Sequence, residues 1–274
     1  MFPRFPIPPS PLPPLPLPPW LTGQAMPEGV MGGPPVQQYP MQQYAAPMQQ
    51  YAAPMVSFQA SAPSPPHLPP SALDLQTTAS FNPVTSHVPL SEYPRMDDTV
   101  FVAPHATVLG DVRVGEDVFI GFGAVLRADC GSPFLIGPRS NIQDHVVVHG
   151  EPDQLVEAED GKWSVHLAGE VSCLHNAVLH GPLKVGRNVY IGEGAMLHTA
   201  EVGDDCVIMH GATVVNGVRI PPGRLVAPGQ TVWRQSEADA LPEVPAEFRQ
   251  LNPMSIQGYV ELARSYRSQM PVAM

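Results

Sequence analysis

The sequence predicts an all-β fold, a left-handed parallel β-helix, followed by a C-terminal α-helix and preceded by a disordered proline-rich arm. Three observations predict it: an aliphatic residue recurs every six positions from about residue 101, a glycine often follows that residue, and proline is concentrated before the repeat. A period of six that continues past residue 220 is typical of hexapeptide-repeat β-helices. A two-domain globular enzyme is not expected from this pattern.

Each hexad is expected to form one short strand and one corner, and three hexads form a triangular coil of about 18 residues. The aliphatic residue points inward and stacks on its counterpart one coil away, while glycine relieves the corner. Such helices are usually left-handed, an exception to the right-handed crossover rule. The inward positions are Val102, Val108, Val114, Ile120, Leu126, Ile136, Ile142, Val148, Leu167, Cys173, Leu179, Val185, Ile191, Leu197, Val202, Ile208, Val214, Ile220 and Val226.

The proline-rich arm comprises residues 1–95 and differs in composition from the rest of the chain. It holds 24 of the 36 prolines and few of the charged side chains. Its first 20 residues favour polyproline II, and residues 40–55 repeat the motif PMQQYAA. Because the arm has too little apolar surface to offset the entropy of ordering, we expect it to be disordered. It would serve either as a tether or as a docking arm for a protein partner.

The composition argues against several classes of partner. The formal net charge is −11 and no basic stripe offsets phosphates, so nucleic acid is not expected as a partner. No apolar run reaches a membrane-spanning length, and the prolines that follow Arg4 do not suit a signal peptide. The three cysteines, Cys130, Cys173 and Cys206, have no disulfide or metal-site spacing, which favours a reducing, cytoplasmic location.

The folded part is divided into two segments. Residues 96–232 are assigned to the β-helix domain, and residues 233–274 to a C-terminal helical segment. Asn252 and Pro253 are typical of an N-cap and a first helical position. Apolar residues after them follow a helical period, so this helix is expected to pack along the outside of the β-helix.

The hexad register places three histidines in a pattern that suits a metal site. His149 and His180 each follow an inward residue and are one coil apart once a loop at 154–166 is set aside, so they should lie one above the other. His175 belongs to another face, so it could meet that pair only across a trimer interface. Three imidazoles with an open fourth position are the ligands of a catalytic zinc ion. Such a site would also accept Fe²⁺ or Co²⁺.

Other interpretations of nearby residues stay open. His198 lies one coil beyond His180, either beside the metal or at an interface. A single histidine in a β-helix is usually a corner or interface residue. Cys130 could supply a fourth ligand, and a thiolate there would close the site and block catalysis.

A resemblance to a known family rests on two segments, RADCGSPFLIGPRSNIQDHVVVHG at 127–150 and SVHLAGEVSCLHNAVLHGPLKVG at 164–186. Both resemble the γ-class carbonic anhydrases, and most closely the anhydrase-like N-terminal domain of the carboxysome assembly protein. The resemblance covers about residues 100–270. It implies a left-handed β-helix homotrimer with one zinc ion at each subunit interface, and it implies the ligands His149, His175 and His180.

The resemblance also implies roles for other residues. Arg127, Asp129 and Asp144 are implied to make salt bridges and hydrogen bonds at the interface. Asn141 and Gln143 are implied to line the pocket, with Gln143 orienting the water or CO2. The implied reaction is the reversible hydration of CO2 to bicarbonate, for which zinc lowers the pKa of water to about 7.

The sequence departs from the family at positions where its best-studied members carry glutamates. Cys130 follows the Arg-x-Asp motif, and Pro152 aligns with the glutamate that carries protons. Glu151, the adjacent acid, is therefore the candidate proton carrier.

Three functions are compatible with these residues. The first is a zinc carbonic anhydrase, associated with a carbon-fixing compartment such as a carboxysome. The second is a catalytically weak anhydrase-like scaffold, whose trimer presents three arms and so gains avidity for protein partners. The third is a hexapeptide acyltransferase, against which the column of histidines argues.

Overall fold

The computed structural model describes residues 78–269. Residues 1–77, and with them most of the predicted arm, lie outside the described range, as do residues 270–274. The described chain is a parallel β-helix of about eight coils with three faces, which confirms the predicted fold class.

Face 1 and face 2 form one 13-stranded sheet, because β15 and β17 run around the corner between them. Face 1 contains β1 (Thr78–Ser80), β4 (Thr107–Gly110), β7 (Val125–Ala128), β10 (Val147–His149), the first halves of β15 (Val178–Val185) and β17 (Met196–Val202), β19 (Thr213–Val215) and β22 (Thr231–Val232). Face 2 contains β2 (Arg95–Met96), β5 (Val112–Val114), β8 (Phe134–Ile136), β13 (Val165–Leu167), the second halves of β15 and β17, and β20 (Arg219–Ile220). Face 3 is a separate sheet of β3 (Phe101–Val102), β6 (Phe119–Ile120), β9 (Asn141–Ile142), β14 (Val171–Cys173), β16 (Val189–Ile191), β18 (Val207–Ile208) and β21 (Leu225–Val226).

The core is a stack of the predicted inward residues. Val148 pairs with Leu179 one coil away, and Ile142 pairs with Cys173 on the neighbouring face. All the predicted inward positions are buried except Val102, which is half-buried near one end of the stack. Each fully buried aliphatic side chain contributes about 1.5–3 kcal/mol, so the repeat itself holds the coils together.

The solenoid begins earlier than residue 96. β1 pairs in parallel with β4, so that Ala79 lies beside Val108. Asn82 is buried; its Nδ2 donates to the carbonyl oxygen of Leu90 at 2.9 Å, and its Oδ1 accepts the Glu92 N–H at 2.8 Å. This stretch is ordered by backbone pairing and by one side-chain amide, not by aliphatic residues at hexad positions. For that reason its composition did not separate it from the arm.

The predicted loop at 154–166 is shorter and more regular than expected. It contains an antiparallel hairpin of β11 (Val156–Ala158) and β12 (Gly161–Trp163). His166 belongs to β13, where it pairs with Leu135 on face 2. The chain therefore rejoins the β-helix at about residue 164.

After β22 the chain forms α1 (Gln235–Asp239), a 3₁₀ turn (Ala246–Phe248) and α2 (Leu251–Gln269). As predicted, α2 packs outside the β-helix, on face 3, where the Tyr259 ring lies 4.9 Å from that of Phe119. Asn252 is not the N-cap, because it lies inside α2 and its buried Nδ2 donates to the Glu170 carbonyl at 2.8 Å. Among the helices of residues 78–269, none combines the length and the hydropathy that crossing a bilayer requires.

Candidate metal centre

Three histidines form a column on face 1. In the strand register, His149 of β10 lies beside His180 of β15, which lies beside His198 of β17. The rings of His149 and His180 meet edge to face with centroids 5.1 Å apart, whereas those of His180 and His198 stack at 4.5 Å. The hexad register therefore placed this column correctly.

The His149–His180 pair has a geometry that fits one shared cation. His180 Nδ1 lies 3.0 Å from the Gly181 carbonyl oxygen, an acceptor, so Nδ1 carries the proton of the neutral ring. Its unprotonated Nε2 lies 3.2 Å from Nδ1 of His149. Two tetrahedral zinc ligands with bonds of about 2.0–2.1 Å are about 3.3 Å apart. The two side chains therefore fit a zinc ion of this coordination.

Arg127 and Asp129 surround the other nitrogen of His149. Arg127 Nη2 lies 3.2 Å from His149 Nε2, and Asp129 Oδ1 lies 3.4 Å from it. Arg127 and Asp129 are themselves paired at 3.4 Å within the chain. Burial lowers the pKa of His149 below its usual value, and the positive charge of Arg127 acts in the same direction. His149 is therefore held in the neutral form that a metal ligand requires.

A second group of predicted residues lies on face 3. Gln143 Nε2 donates to Asn141 Oδ1 at 2.9 Å, and Asn141 Nδ2 donates to Ser172 Oγ at 2.8 Å. All three side chains are buried. The network fixes the orientation of the Gln143 amide and connects it to β14, the strand that precedes His175.

His175 lies beside this network and apart from the His149–His180 pair. It follows β14 on face 3, is half-exposed, and its Nδ1 lies 3.7 Å from Asp144 Oδ2. Asp144 Oδ1 in turn accepts the Phe122 N–H at 2.9 Å. In a single chain His175 and the His149–His180 pair thus lie on different faces, and their meeting across chains stays a prediction.

The structure also brings together a group that the sequence analysis did not identify as a site. Glu151, His180 and His198 each offer a ligand atom, and these atoms lie within 4.8 Å of one another. However, the stacked rings of His180 and His198 are only 13° from parallel, so their in-plane lone pairs do not converge. The His180 nitrogen that lies 3.9 Å from Glu151 is the one that donates to Gly181. This group fits a shared ion less well than the His149–His180 pair does.

The cysteines contribute little to the site. Cys173 and Cys206 are buried in the core, and burial raises the pKa of Cys206 to about 11. Cys130 is half-buried and free. Within residues 78–269, the cluster of possible ligand atoms does not include Cys130.

Solved structures with the same architecture support the fold. A putative acetyltransferase from Bacillus cereus matches with a TM-score of 0.57 and 28% identity, over 70% of this chain and 99% of that one. A hexapeptide transferase family protein from Anaplasma phagocytophilum matches with a TM-score of 0.52, over 64% of this chain and 93% of that one. At 24% identity, this match supports the fold and nothing further.

Named sequence relatives show to which family the chain belongs. No protein-family model matches the chain. The carboxysome assembly protein CcmM of Nostoc sp. is 39% identical over 156 residues, which are 57% of this chain but only 28% of that protein. Gamma carbonic anhydrase 2, mitochondrial, of Arabidopsis thaliana is 32% identical over 64% of this chain and 59% of its own length. The carbonic anhydrase of Methanosarcina thermophila is 36% identical over 198 residues, covering 68% of this chain and 80% of that enzyme. On this extent of identity, the chain belongs to the γ-class carbonic anhydrase family.

Proposed function

We propose that the chain is a zinc-dependent carbonic anhydrase that catalyses the reversible hydration of CO2 to bicarbonate. The observation that carries this proposal is the pair of imidazole nitrogens, His149 Nδ1 and His180 Nε2, 3.2 Å apart with the His180 proton held by Gly181. The relatives named carbonic anhydrase support the same reaction.

The third ligand is His175 of a neighbouring chain in a homotrimer. Two observations support this arrangement. His175 is half-exposed on face 3, where it is available to another chain. On face 1, Val147 and Met196 stand beside the histidines with 37% and 42% of their surfaces exposed, so an apolar strip accompanies the pair. Covering that strip with a second copy would bring a donor from outside to the His149–His180 pair.

A zinc ion held by three imidazoles leaves one position open and lowers the pKa of water to about 7, which supplies a nucleophile for CO2. Asp129 would accept the Nε2 proton of His149 and so leave Nδ1 free for the metal, and Arg127 pairs with Asp129. Asp144 orients His175. The Gln143 amide, fixed through Asn141, orients water or CO2 in the pocket. The same three-histidine set would accept Fe²⁺ or Co²⁺.

Glu151 is the proton acceptor of this proposal. Its Oε1 lies 3.9 Å from His180 Nδ1, and its carboxylate is partly exposed, so it can exchange a proton with solvent. It takes the place of the glutamates that Cys130 and Pro152 replace in this sequence.

The similarity to CcmM supports a place in a carboxysome-like microcompartment within the cytoplasm, with protein partners bound through the proline-rich arm. A catalytically weak scaffold is the second candidate, favoured by Cys130 and Pro152 at the glutamate positions. In either case the residues before β1 form the arm, the chain from β1 to Val232 forms the β-helix domain with the hexad repeat in 96–232, and residues 233–274 form its helical segment. No nucleic acid or membrane enters this proposal.

Stopped-flow CO2 hydration on metal-quantified protein tests the proposal. We expect activity and about one zinc ion per chain in the wild type, and loss of both in His175→Ala. His87→Ala, at an exposed position of the described chain, is the matched control and should behave as wild type. Full zinc occupancy without hydration would reject the enzyme and favour the scaffold, whereas His175→Ala with normal zinc and activity would reject the ligand set.

A further inference from the structure

The β11–β12 hairpin folds back over face 2 and is held there by side chains of that face. Lys184 Nζ donates to the Glu157 carbonyl oxygen at 3.1 Å. The Arg113 guanidinium lies over the Trp163 ring, 5.0 Å from its centroid, and Arg113 is itself held by Asp111 through two hydrogen bonds. The indole is therefore enclosed, and Trp163 is buried.

Asp160, at the tip of the hairpin, is the acceptor that joins the hairpin to the β-helix. Its Oδ1 accepts the Trp163 Nε1–H at 2.9 Å and lies 3.3 Å from His166 Nε2. His166 is only 6% exposed, and its Nδ1 has no hydrogen-bond partner among residues 78–269. Asp160 is thus the acidic neighbour of a buried ring, and a proton on Nε2 would face its carboxylate.

The stem of the hairpin is packed against the candidate site. Ser164 is fully buried where the chain rejoins face 2. A Cβ on Gly150 would lie 2.2 Å from Ser164 Oγ, and one on Gly181 would lie 2.4 Å from the Ser164 carbonyl oxygen. These two glycines directly follow His149 and His180. Glu151 directly follows Gly150, so the stem of the hairpin is packed against the segment that carries Glu151.

We propose that Asp160 is a positioning residue, which fixes the hairpin on face 2 and thereby holds Glu151 beside His180. The proposal deepens the function proposed above and rests on it in one respect, the role of Glu151 as proton acceptor. Asp160 itself touches no substrate; it acts through Trp163 and His166.

The test uses the full-length, zinc-loaded protein and three variants. Asp160→Ala removes the acceptor, Asp160→Asn keeps an acceptor Oδ1 without the charge, and Glu159→Ala removes the neighbouring exposed acid as a matched control. Two properties are measured: hydrogen exchange of the amides in 151–163, and CO2 hydration with kcat and kcat/KM separated. Zinc content is measured for each variant.

For Asp160→Ala we expect exchange in 151–163 to be about tenfold faster, as the loss of a charge-assisted hydrogen bond implies. Zinc content and kcat/KM should be unchanged, while kcat falls about tenfold, because only proton removal depends on Glu151. Added imidazole buffer should restore kcat. Asp160→Asn should recover most of both properties, and Glu159→Ala should match the wild type.

Each contrary result has a distinct meaning. Unchanged exchange in Asp160→Ala would overturn the positioning role. Faster exchange with unchanged kcat in an active wild type would overturn the connection to Glu151. If the wild type itself does not hydrate CO2, the proposed function fails, and the exchange data alone decide whether Asp160 holds the hairpin.

Discussion

His180 directs its unprotonated Nε2 at Nδ1 of His149, 3.2 Å away, because its own Nδ1 donates to a carbonyl one residue further along the chain. A backbone acceptor therefore chooses the tautomer and orients the ring before any ion arrives. A separation of 3.2 Å suits either a proton carried by His149 Nδ1 or a cation held between the two nitrogens. The relationship is local to one chain, whereas the proposed third ligand, His175, belongs to another chain.

Replacing either histidine of this pair should remove the metal. In His149→Ala and His180→Ala, we expect the zinc content to fall from near one ion per chain to well below one, because each change removes a ligand. Elemental analysis of the purified protein measures this. His198→Ala is the control and should keep its zinc. Zinc lost from His198→Ala but retained by His149→Ala would instead identify Glu151, His180 and His198 as the ligands.

Removing the metal should lower thermal stability. An ion that binds only the folded assembly stabilises it, by about 2.7 kcal/mol at a concentration 100 times its Kd. Chelation should therefore lower the Tm of the wild type, and added zinc should restore it, as differential scanning fluorimetry would record. His175→Ala, which lacks the ligand from the neighbouring chain, should show no such change. A Tm that chelation leaves unaltered in the wild type would contradict the proposed site.

Gly137→Ala should destabilise the β-helix. A Cβ at this corner would lie 2.5 Å from the Ala168 carbonyl carbon, and that neighbour is backbone that cannot move aside. We expect a loss of about 1–3 kcal/mol in the free energy of unfolding, measured by denaturant titration. Gly258→Ala in α2 is the opposite control: nothing lies within 4 Å of its Cβ, so it should stabilise by about 0.5–1 kcal/mol. Equal effects of the two changes would refute the packing argument.

Asn252→Ala should loosen α2 from face 3. The Asn252 amide is 3% exposed, and its Nδ2 donates to the Glu170 carbonyl and to Asn188 Oδ1. Truncation leaves these acceptors unpaired and should cost about 1–3 kcal/mol in the free energy of unfolding. Met254→Ala, at a position that is 71% exposed, should change it by less than about 0.5 kcal/mol. An Asn252→Ala protein as stable as Met254→Ala would show that these bonds do not anchor the helix.

Stability should depend on pH through His166. Burial lowers the pKa of His166 below its usual 6.5, so between the folded pKa and 6.5 the unfolded chain binds a proton that the folded chain does not. The free energy of unfolding should therefore rise with pH up to about 6.5, and this contribution should be constant above it. Urea titrations across that range should give a flatter pH profile for His166→Asn. Identical slopes in the two proteins would contradict the assignment.

The hexad positions were predictable because a β-helix is nearly one-dimensional. Each coil contacts only its neighbours, so a period of six residues determines which side chains point inward and which histidines share a column. Val148, Leu179, His149 and His180 follow this rule. The start of the solenoid was not predictable in this way, because β1 is ordered by backbone pairing with β4 and by Asn82.

By itself, then, the sequence determined the β-helix, the register that stacks His149 on His180, and the separation of His175 onto another face. Only the tertiary structure decided which nitrogen of His180 is free, that Asp160 meets Trp163 and His166, and that Asn252 anchors α2 rather than capping it. The physical reason is that hydrogen bonds depend on direction, whereas apolar packing does not. Inward packing repeats with the chain's own period, whereas these hydrogen bonds depend on how individual groups, some far apart in sequence, are oriented when they meet.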